Sequence, residues 1–136
     1  MFYWDTSGPW YNSLSGDDIL LQPGLGYWIY SYVDCELFIQ DFIMPEWDGN
    51  ISTLAPGWNG LGIPTTETLT LGNLTINYSD VDYNWSDAIS AGLVESSVFW
   101  WDTSGPWYQS ISGVDAELVP AQGYWFYAYY DCTLKR

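Results

Sequence analysis

The sequence contains an internal duplication. Residues 2–37 align with residues 99–134 at an offset of 97, without a gap, and 23 of the 36 positions are identical. The most specific shared string, WDTSGPWY, occupies residues 4–11 and residues 101–108. Because two segments this similar are expected to fold alike, the duplication restricts the chain to an architecture built from repeated units.

The segment between the two copies has no counterpart in the chain. It begins near Leu54 with the string LAPGWN and extends to about Val98. One period therefore comprises a front half and a back half, and their order along the chain is back half, front half, back half. We therefore expect the chain to begin within a unit of a longer precursor. We predict the following division: a back half with a connector at residues 1–50, and a complete unit at residues 51–136, with its front half at 51–98 and its back half at 99–136.

Turn residues and alternating hydrophobicity predict an all-β fold. Glycine, proline and serine clusters divide both copies into short segments of strand length. Between residues 26 and 32, Tyr27 and Ile29 point to one face, whereas Trp28 and Tyr30 point to the other. One face therefore predicts a core, and the opposite face predicts an aromatic ladder.

The chain carries a single helix signal. Ser86 is a suitable N-cap and Gly92 a suitable stop, so at most one short helix is expected near residues 86–92. We predict short antiparallel strands in β-sandwich-like or barrel-like units. The leading half-unit is expected either to pack on the complete unit or to remain open.

The charge balance excludes several functions. Asp and Glu total 17, against one lysine and one arginine at positions 135 and 136, which gives a net charge of −15. Such a chain repels phosphate backbones, so neither nucleic acid nor an anionic membrane surface is an expected partner. No apolar run is long enough to span a bilayer.

The composition also argues against an enzyme. The chain has no histidine, and its only lysine is the penultimate residue. Imidazole-based triads, imidazole metal sites and Schiff-base chemistry are therefore excluded or nearly so. We predict no catalytic residues, no cofactor and no metal site.

Several short motifs occur in a characteristic order. GWN at residues 57–59 is followed by WD at 101–102 and GYW at 123–125. This order resembles the "GWN…GYW" β repeats of large secreted bacterial and archaeal surface proteins, over one whole unit and the preceding back half. The resemblance implies an extracellular, repetitive architecture without catalytic residues. Gly60 departs from the family pattern, which has an aliphatic pair directly after GWN.

Four Asn-x-Ser/Thr sequons lie in or beside the unpaired front half, at Asn50, Asn73, Asn77 and Asn84. Composition alone predicts about one, so the four sites indicate glycosylation at a secreted surface, although a Ser/Thr-rich β protein also produces sequons freely.

Cys35 and Cys132 occupy the same position in the two copies. In an oxidising compartment they predict a disulfide, within the chain or between chains; the alternative is a pair of free buried thiols.

Four tryptophans of the copies are candidates for binding or packing. Exposed aromatic faces stack on sugar rings, but in a chain with 20% aromatic residues most of them are expected to fill a core or an interface between chains. The candidates are Trp10, Trp28, Trp107 and Trp125.

Two acidic clusters were considered as calcium sites. Asp17-Asp18 and the pair of Asp80 and Asp82 supply oxygen ligands, but neither resembles an EF-hand loop, so solvated turns are the better prediction.

A half-unit cannot bury its hydrophobic face alone and is expected to need the front half of another chain. The sequence therefore favours a self-assembling cell-surface protein, such as a surface-layer, sheath or filament subunit, whose partners are copies of itself. The alternative is a carbohydrate-binding module that attaches to polysaccharide through exposed aromatics.

Overall fold

The computed structural model describes residues 1–5, 10–16, 20–36, 49–105 and 107–136, with the backbone alone at Trp10. Within these residues the protein is all-β, as predicted, with one short α-helix and one 3-10 helix. The strands are β1 (Phe2–Asp5), β2 (Trp10–Ser13), β3 (Tyr27–Trp28), β4 (Asn50–Leu54), β5 (Gly57–Gly62), β6 (Leu69–Thr70), β7 (Thr75–Tyr78), β8 (Val81–Asn84), β9 (Ser97–Asp102), β10 (Trp107–Ser112), β11 (Glu117–Leu118), β12 (Gly123–Ala128) and β13 (Cys132–Lys135).

The strands form antiparallel sheets. The leading copy forms a three-stranded sheet with the order β2-β1-β3. The complete unit contains two four-stranded sheets, β10-β9-β12-β5 and β4-β13-β7-β8, and the short ribbon β11-β6. The trailing copy therefore shares both large sheets with the front half.

The hydrophobic core lies within the complete unit. The buried cluster draws Phe126 and Val98 from one large sheet and Ile76 and Leu134 from the other, as in a β-sandwich. Among the described residues, all members of this cluster lie between residues 51 and 134. The described part of the leading copy contributes none of them.

The two copies have the same strand register. Phe2 lies opposite Trp28 in the leading copy, and Phe99 lies opposite Trp125 in the trailing copy. These positions correspond at the offset of 97, so the two copies of the duplicated sequence form the same three-stranded arrangement.

A side-chain hydrogen bond is also duplicated. The Tyr27 hydroxyl accepts the amide of Gln22 at 2.7 Å, and the Tyr124 hydroxyl accepts the amide of Val119 at 2.6 Å. The tyrosine of the GYW motif therefore anchors the preceding loop in both copies.

The predicted alternation holds in the trailing copy. Tyr124, Phe126 and Ala128 are buried, whereas Trp125 and Tyr127 on the opposite face are only partly buried. In the leading copy the strand is shorter than predicted, because only Tyr27–Trp28 pairs with a neighbouring strand.

The helix α1 spans Trp85–Ser90 and begins one residue before the predicted start. The Ser86 cap prediction is wrong: the side chain of Asn84 accepts the Asp87 amide at 2.9 Å, since Trp85 is buried and already helical. At the other end the prediction holds. Gly92 has a φ of +67°, and the next amide, of Leu93, donates to the Ala88 carbonyl in a Schellman motif.

Asn59 gives the GWN motif a structural role. Its side chain is fully buried, its oxygen accepts the Ala55 amide at 3.0 Å, and its nitrogen donates to the carbonyls of Ala55 and Gly57 at 2.9 and 3.0 Å. This asparagine holds the turn that leads into β5, where Gly57 has a φ of +108°.

We predict that Asn59→Ala lowers the free energy of unfolding by about 1–3 kcal/mol, because it leaves buried backbone groups without partners. Urea denaturation provides the measurement. Asn77→Ala is the control: Asn77 is half-buried and donates to Asp82, so it should cost less than about 1 kcal/mol. Equal losses in the two variants would contradict this role.

Candidate assembly interface

The leading sheet packs on the complete unit through aromatic rings. The ring centroids of Trp4 and Trp125 lie 5.3 Å apart at an interplanar angle of 78°, and those of Trp28 and Trp101 lie 5.7 Å apart at 69°. Edge-to-face contacts of this kind each contribute about 0.5–1.5 kcal/mol beyond the area they bury. We call this set of contacts, together with those of Tyr11 and Tyr108, the aromatic joint.

The aromatic joint has pseudo-two-fold symmetry. Trp4 corresponds to Trp101 at the offset of 97, and Trp28 corresponds to Trp125. Exchanging the two copies therefore converts the contact between Trp4 and Trp125 into the contact between Trp101 and Trp28. Such an interface is isologous: the same patch on two bodies is complementary to itself.

The tyrosine contacts obey the same symmetry. Tyr11 lies 6.4 Å from Trp125, and its counterpart Tyr108 lies 6.4 Å from Trp28, measured between ring centroids. Tyr108 lies close enough to Tyr11 to affect the ionisation of the Tyr11 hydroxyl. Burial raises the pKa of Tyr11 above its usual value, and Tyr108 raises that pKa further. Equivalent residues meet in this way only on the symmetry axis.

Strand β5 lies between the two copies. Along one edge it pairs with β12 over six residues. At its other edge, Leu25 bridges to Leu61, the Gly26 amide donates to the Gly60 carbonyl at 3.0 Å, and the Gly62 amide donates to the Gly24 carbonyl at 3.2 Å. One front-half strand therefore contacts corresponding segments of both copies.

Glycines in β5 permit this close approach. A Cβ on Gly62 would lie 2.8 Å from the Leu25 carbonyl oxygen. A Cβ on Gly60 would lie 3.4 Å both from the Trp125 ring and from the Trp4 Cβ. Gly60, where the sequence departs from the family pattern, is thus the position over which two tryptophans of the joint meet, and the strand register there is regular.

One polar contact crosses the joint. The Trp4 indole Nε1 donates to the Trp58 carbonyl oxygen at 2.9 Å. The Trp58 ring packs against Phe99 at 5.5 Å and Tyr127 at 5.1 Å within the complete unit. This hydrogen bond has no counterpart in the symmetry, since the leading copy has no front half of its own.

The four candidate tryptophans have different environments. Trp28 and Trp125 lie in the aromatic joint, half-buried. Trp107 is 57% exposed and folds over Gly105 in its own turn. The side chain of Trp10 lies outside the described residues. Four further residues of the joint were not among the candidates, although all of them belong to the repeated string WDTSGPWY: Trp4, Tyr11, Trp101 and Tyr108.

The cysteines are free and occupy unlike environments. Cys35 is exposed, with its Sγ 3.1 Å from the Ser31 Oγ, whereas Cys132 is buried. Burial raises the pKa of the Cys132 thiol to about 11, and the neighbouring Asp131 contributes to the increase. The structure therefore has no disulfide between them, and an interchain bond through Cys35 stays a prediction.

The sequon asparagines lie on or near the surface. Asn73 accepts hydrogen bonds from Thr70 and closes the 3-10 helix Leu71–Asn73, while Asn84 caps α1. Asn77 is half-buried and donates to Asp82 at 2.6 Å. Asn50 is exposed at the start of β4. Asn73, Asn77 and Asn84 thus have structural roles, and glycosylation stays a prediction.

The second acidic cluster forms part of a hairpin. Ser79 and Asp80 have φ values of 51° and 63° in the two-residue turn between β7 and β8. Asp82 accepts hydrogen bonds from Asn77 and Lys135, which hold the pKa of its carboxyl below the usual value. Within the described residues no group of three or more candidate ligands could hold a metal ion. Asp17 and Asp18 lie outside those residues.

Comparisons with known proteins leave the resemblance as a prediction. No family model, curated protein or solved structure matches the chain. In the part of the chain that the structure describes, no helix has the length and apolar character needed to cross a membrane.

We predict that Gly62→Ala loosens the leading copy by about 1–3 kcal/mol, because the added methyl group collides with the Leu25 carbonyl. Hydrogen exchange measured by mass spectrometry should show lost protection at residues 24–26, while residues 123–128 keep theirs. Gly123→Ala is the matched control, since a Cβ there meets nothing within 4 Å. Unchanged exchange at residues 24–26 in Gly62→Ala would contradict the described pairing.

Proposed function

We propose that the chain is a structural, self-assembling extracellular or cell-surface protein, a subunit of a surface layer, sheath or filament built from tandem β repeats. The observation that carries the proposal is the aromatic joint, in which one half-unit recognises a second copy of itself. Self-recognition of a repeated element is what a protein that assembles from its own copies requires. We propose no enzymatic activity.

The aromatic joint offers a direct route to assembly. If the leading copy of one chain packs on the trailing copy of another, the same contacts form, including the pair of Trp4 with Trp125. Exchange of identical elements is a low-cost way to join chains, and when the exchange does not close on itself it produces a linear polymer. High protein concentration favours the exchanged form.

The charge of the chain sets the conditions for assembly. Each chain carries −15, so neighbouring chains repel one another at low ionic strength. At about 0.15 M salt, charges farther apart than roughly 8 Å are largely screened. Assembly is therefore expected to strengthen with salt, and Cys35, exposed on the leading copy, is placed to cross-link chains under oxidising conditions.

The test is sedimentation velocity across a range of protein and salt concentrations, followed by electron microscopy of the largest species. We expect species that grow with both concentrations, and non-reducing gels in which the cross-linked ladder disappears in Cys35→Ser. Trp28→Ala should weaken assembly more than Trp107→Ala, because only Trp28 lies in the joint. Monomers at every concentration under oxidising conditions would refute self-assembly.

A carbohydrate-binding module is the second candidate. A cleft of about 380 Å³ is lined by Trp4, Tyr11, Trp58, Phe99, Tyr108 and Trp125. Aromatic clefts stack on sugar rings, so this cleft is where a polysaccharide would bind. Glycan-array binding that is lost in Trp58→Ala and Trp125→Ala, which both remove lining residues of this cleft, by a chain that stays monomeric, would favour this function over the structural one.

A further inference from the structure

The two copies differ in what covers their inner faces, defined here as the face that carries Leu118 and Phe126 in the trailing copy and the corresponding residues Leu21 and Ile29 in the leading copy. In the trailing copy Phe126 is 1% exposed and Leu118 is 0% exposed. Their counterparts in the leading copy are Ile29, which is 48% exposed, and Leu21, which is 36% exposed. Apolar character is kept at both positions, although only one copy buries it.

The cysteines report the same difference. Cys132 is buried at the start of β13 and Cys35 is exposed at the corresponding position. Because both cysteines follow the same Tyr-x-Asp pattern, the local sequence does not explain their different exposure. The difference comes from the residues that pack around each cysteine.

Front-half residues cover the trailing copy. Trp85 packs edge-on against Phe126 with 6.0 Å between ring centroids, Leu69 pairs with Leu118, and Leu54 pairs with Cys132. These three front-half side chains are themselves almost fully buried. The trailing copy therefore already covers these front-half side chains.

The backbone of the leading copy is also incomplete. In the trailing copy, β12 pairs with β5 over six residues, and β13 pairs with both β4 and β7. In the leading copy, residues 29–36 belong to no strand, and among the described residues the backbone pairs with the front half only around the bridge at Leu25, through the hydrogen bonds of Gly24 and Gly26. That bridge is a short substitute for the pairing that β12 makes.

We infer that the inner face of the leading copy is a docking site for a second front half, with the chemistry of residues 51–98. The occupant presents a tryptophan to Ile29, a leucine to Leu21 and a leucine to Cys35, and adds a strand beside residues 27–31, beyond the pairing of Gly26 with Gly60. The complete unit is the template for every one of these contacts. The proposal goes beyond self-assembly, since docking of one front half completes a unit without extending a polymer.

A whole second chain is a poor source of this occupant. The chain has two back halves and one front half, and that front half is already covered by its own back half. Taking it from a second chain would uncover one face to cover another, with no net burial. The test must therefore supply an additional front half.

The test uses a tandem protein in which an extra copy of residues 51–98 is joined directly to Phe2, reproducing the junction of Val98 with Phe99. Alkylation rates of Cys35 and Cys132 are measured by mass spectrometry in the tandem and in the 136-residue chain. In the 136-residue chain Cys35 should react readily and Cys132 slowly. In the tandem, Cys35 should become protected by about tenfold or more, the factor that corresponds to a local opening cost of about 1.4 kcal/mol.

The matched control is the same tandem with the Trp85 counterpart of the added copy replaced, Trp85→Asp, which should leave Cys35 reactive. A tandem in which Cys132 stays protected while Cys35 reacts as fast as in the control overturns the inference. A tandem that fails to fold also counts against it, because a correctly completed unit should stabilise the chain. Protection of Cys35 in the tandem, together with a 136-residue chain that stays monomeric at every concentration, would support docking while refuting the polymer, so the two proposals fail separately.

Discussion

The aromatic face of the back half must be kept from water, and the chain covers this face with a second copy of itself. Trp28 and Trp125 are the corresponding members of the two faces, and each lies edge-on to a tryptophan of the other copy. Because the interface is isologous, its complementarity needs only one sequence, repeated. The duplication and the aromatic content are thus two aspects of one physical requirement.

This requirement also shapes the backbone. The leading copy approaches the complete unit along β5. Gly62 and Gly26 have no side chains there, and a Cβ at either position would collide with the opposite backbone. The asparagine of the GWN motif holds the turn before this strand, so β5 leaves the turn in a fixed direction. The glycines and Asn59 act on the position of one strand, through which both copies are joined to the front half.

Much of the fold could be predicted from the sequence because the relevant information is local. Period-two alternation assigned Tyr124, Phe126 and Ala128 to the inward face. The preference of glycine for helix ends placed the end of the helix at Gly92. The N-cap was misassigned to Ser86, since Asn84 and Ser86 are both good caps and burial of Trp85 decides between them. Alternation also predicted a full strand at residues 26–32, but strand length depends on a partner that the alternation does not specify.

The interface was less predictable than the fold. An aromatic ladder was expected, with its tryptophans in a core, in an interface between chains or stacked on sugar, and the leading half-unit was expected either to pack on the complete unit or to remain open. The corresponding positions of Trp4 and Trp101 carried the missing signal, because a repeated aromatic patch on an outward face is able to pair with its own copy. Sequence alone could not predict that the aromatic faces of the two copies pack on each other. This packing accompanies the bridge between Leu25 and Leu61, which lie 36 residues apart along the chain.

The central claim is that the aromatic joint is symmetric, and double-mutant cycles test it most directly. One cycle combines Trp4→Ala with Trp125→Ala, and the other combines Trp28→Ala with Trp101→Ala; in each cycle the hydrogen bond of Trp4 to Trp58 cancels. We predict coupling energies of about 0.5–1.5 kcal/mol in both cycles, equal within about 0.5 kcal/mol. Coupling in one cycle and none in the other, or none in either, would contradict the symmetric joint.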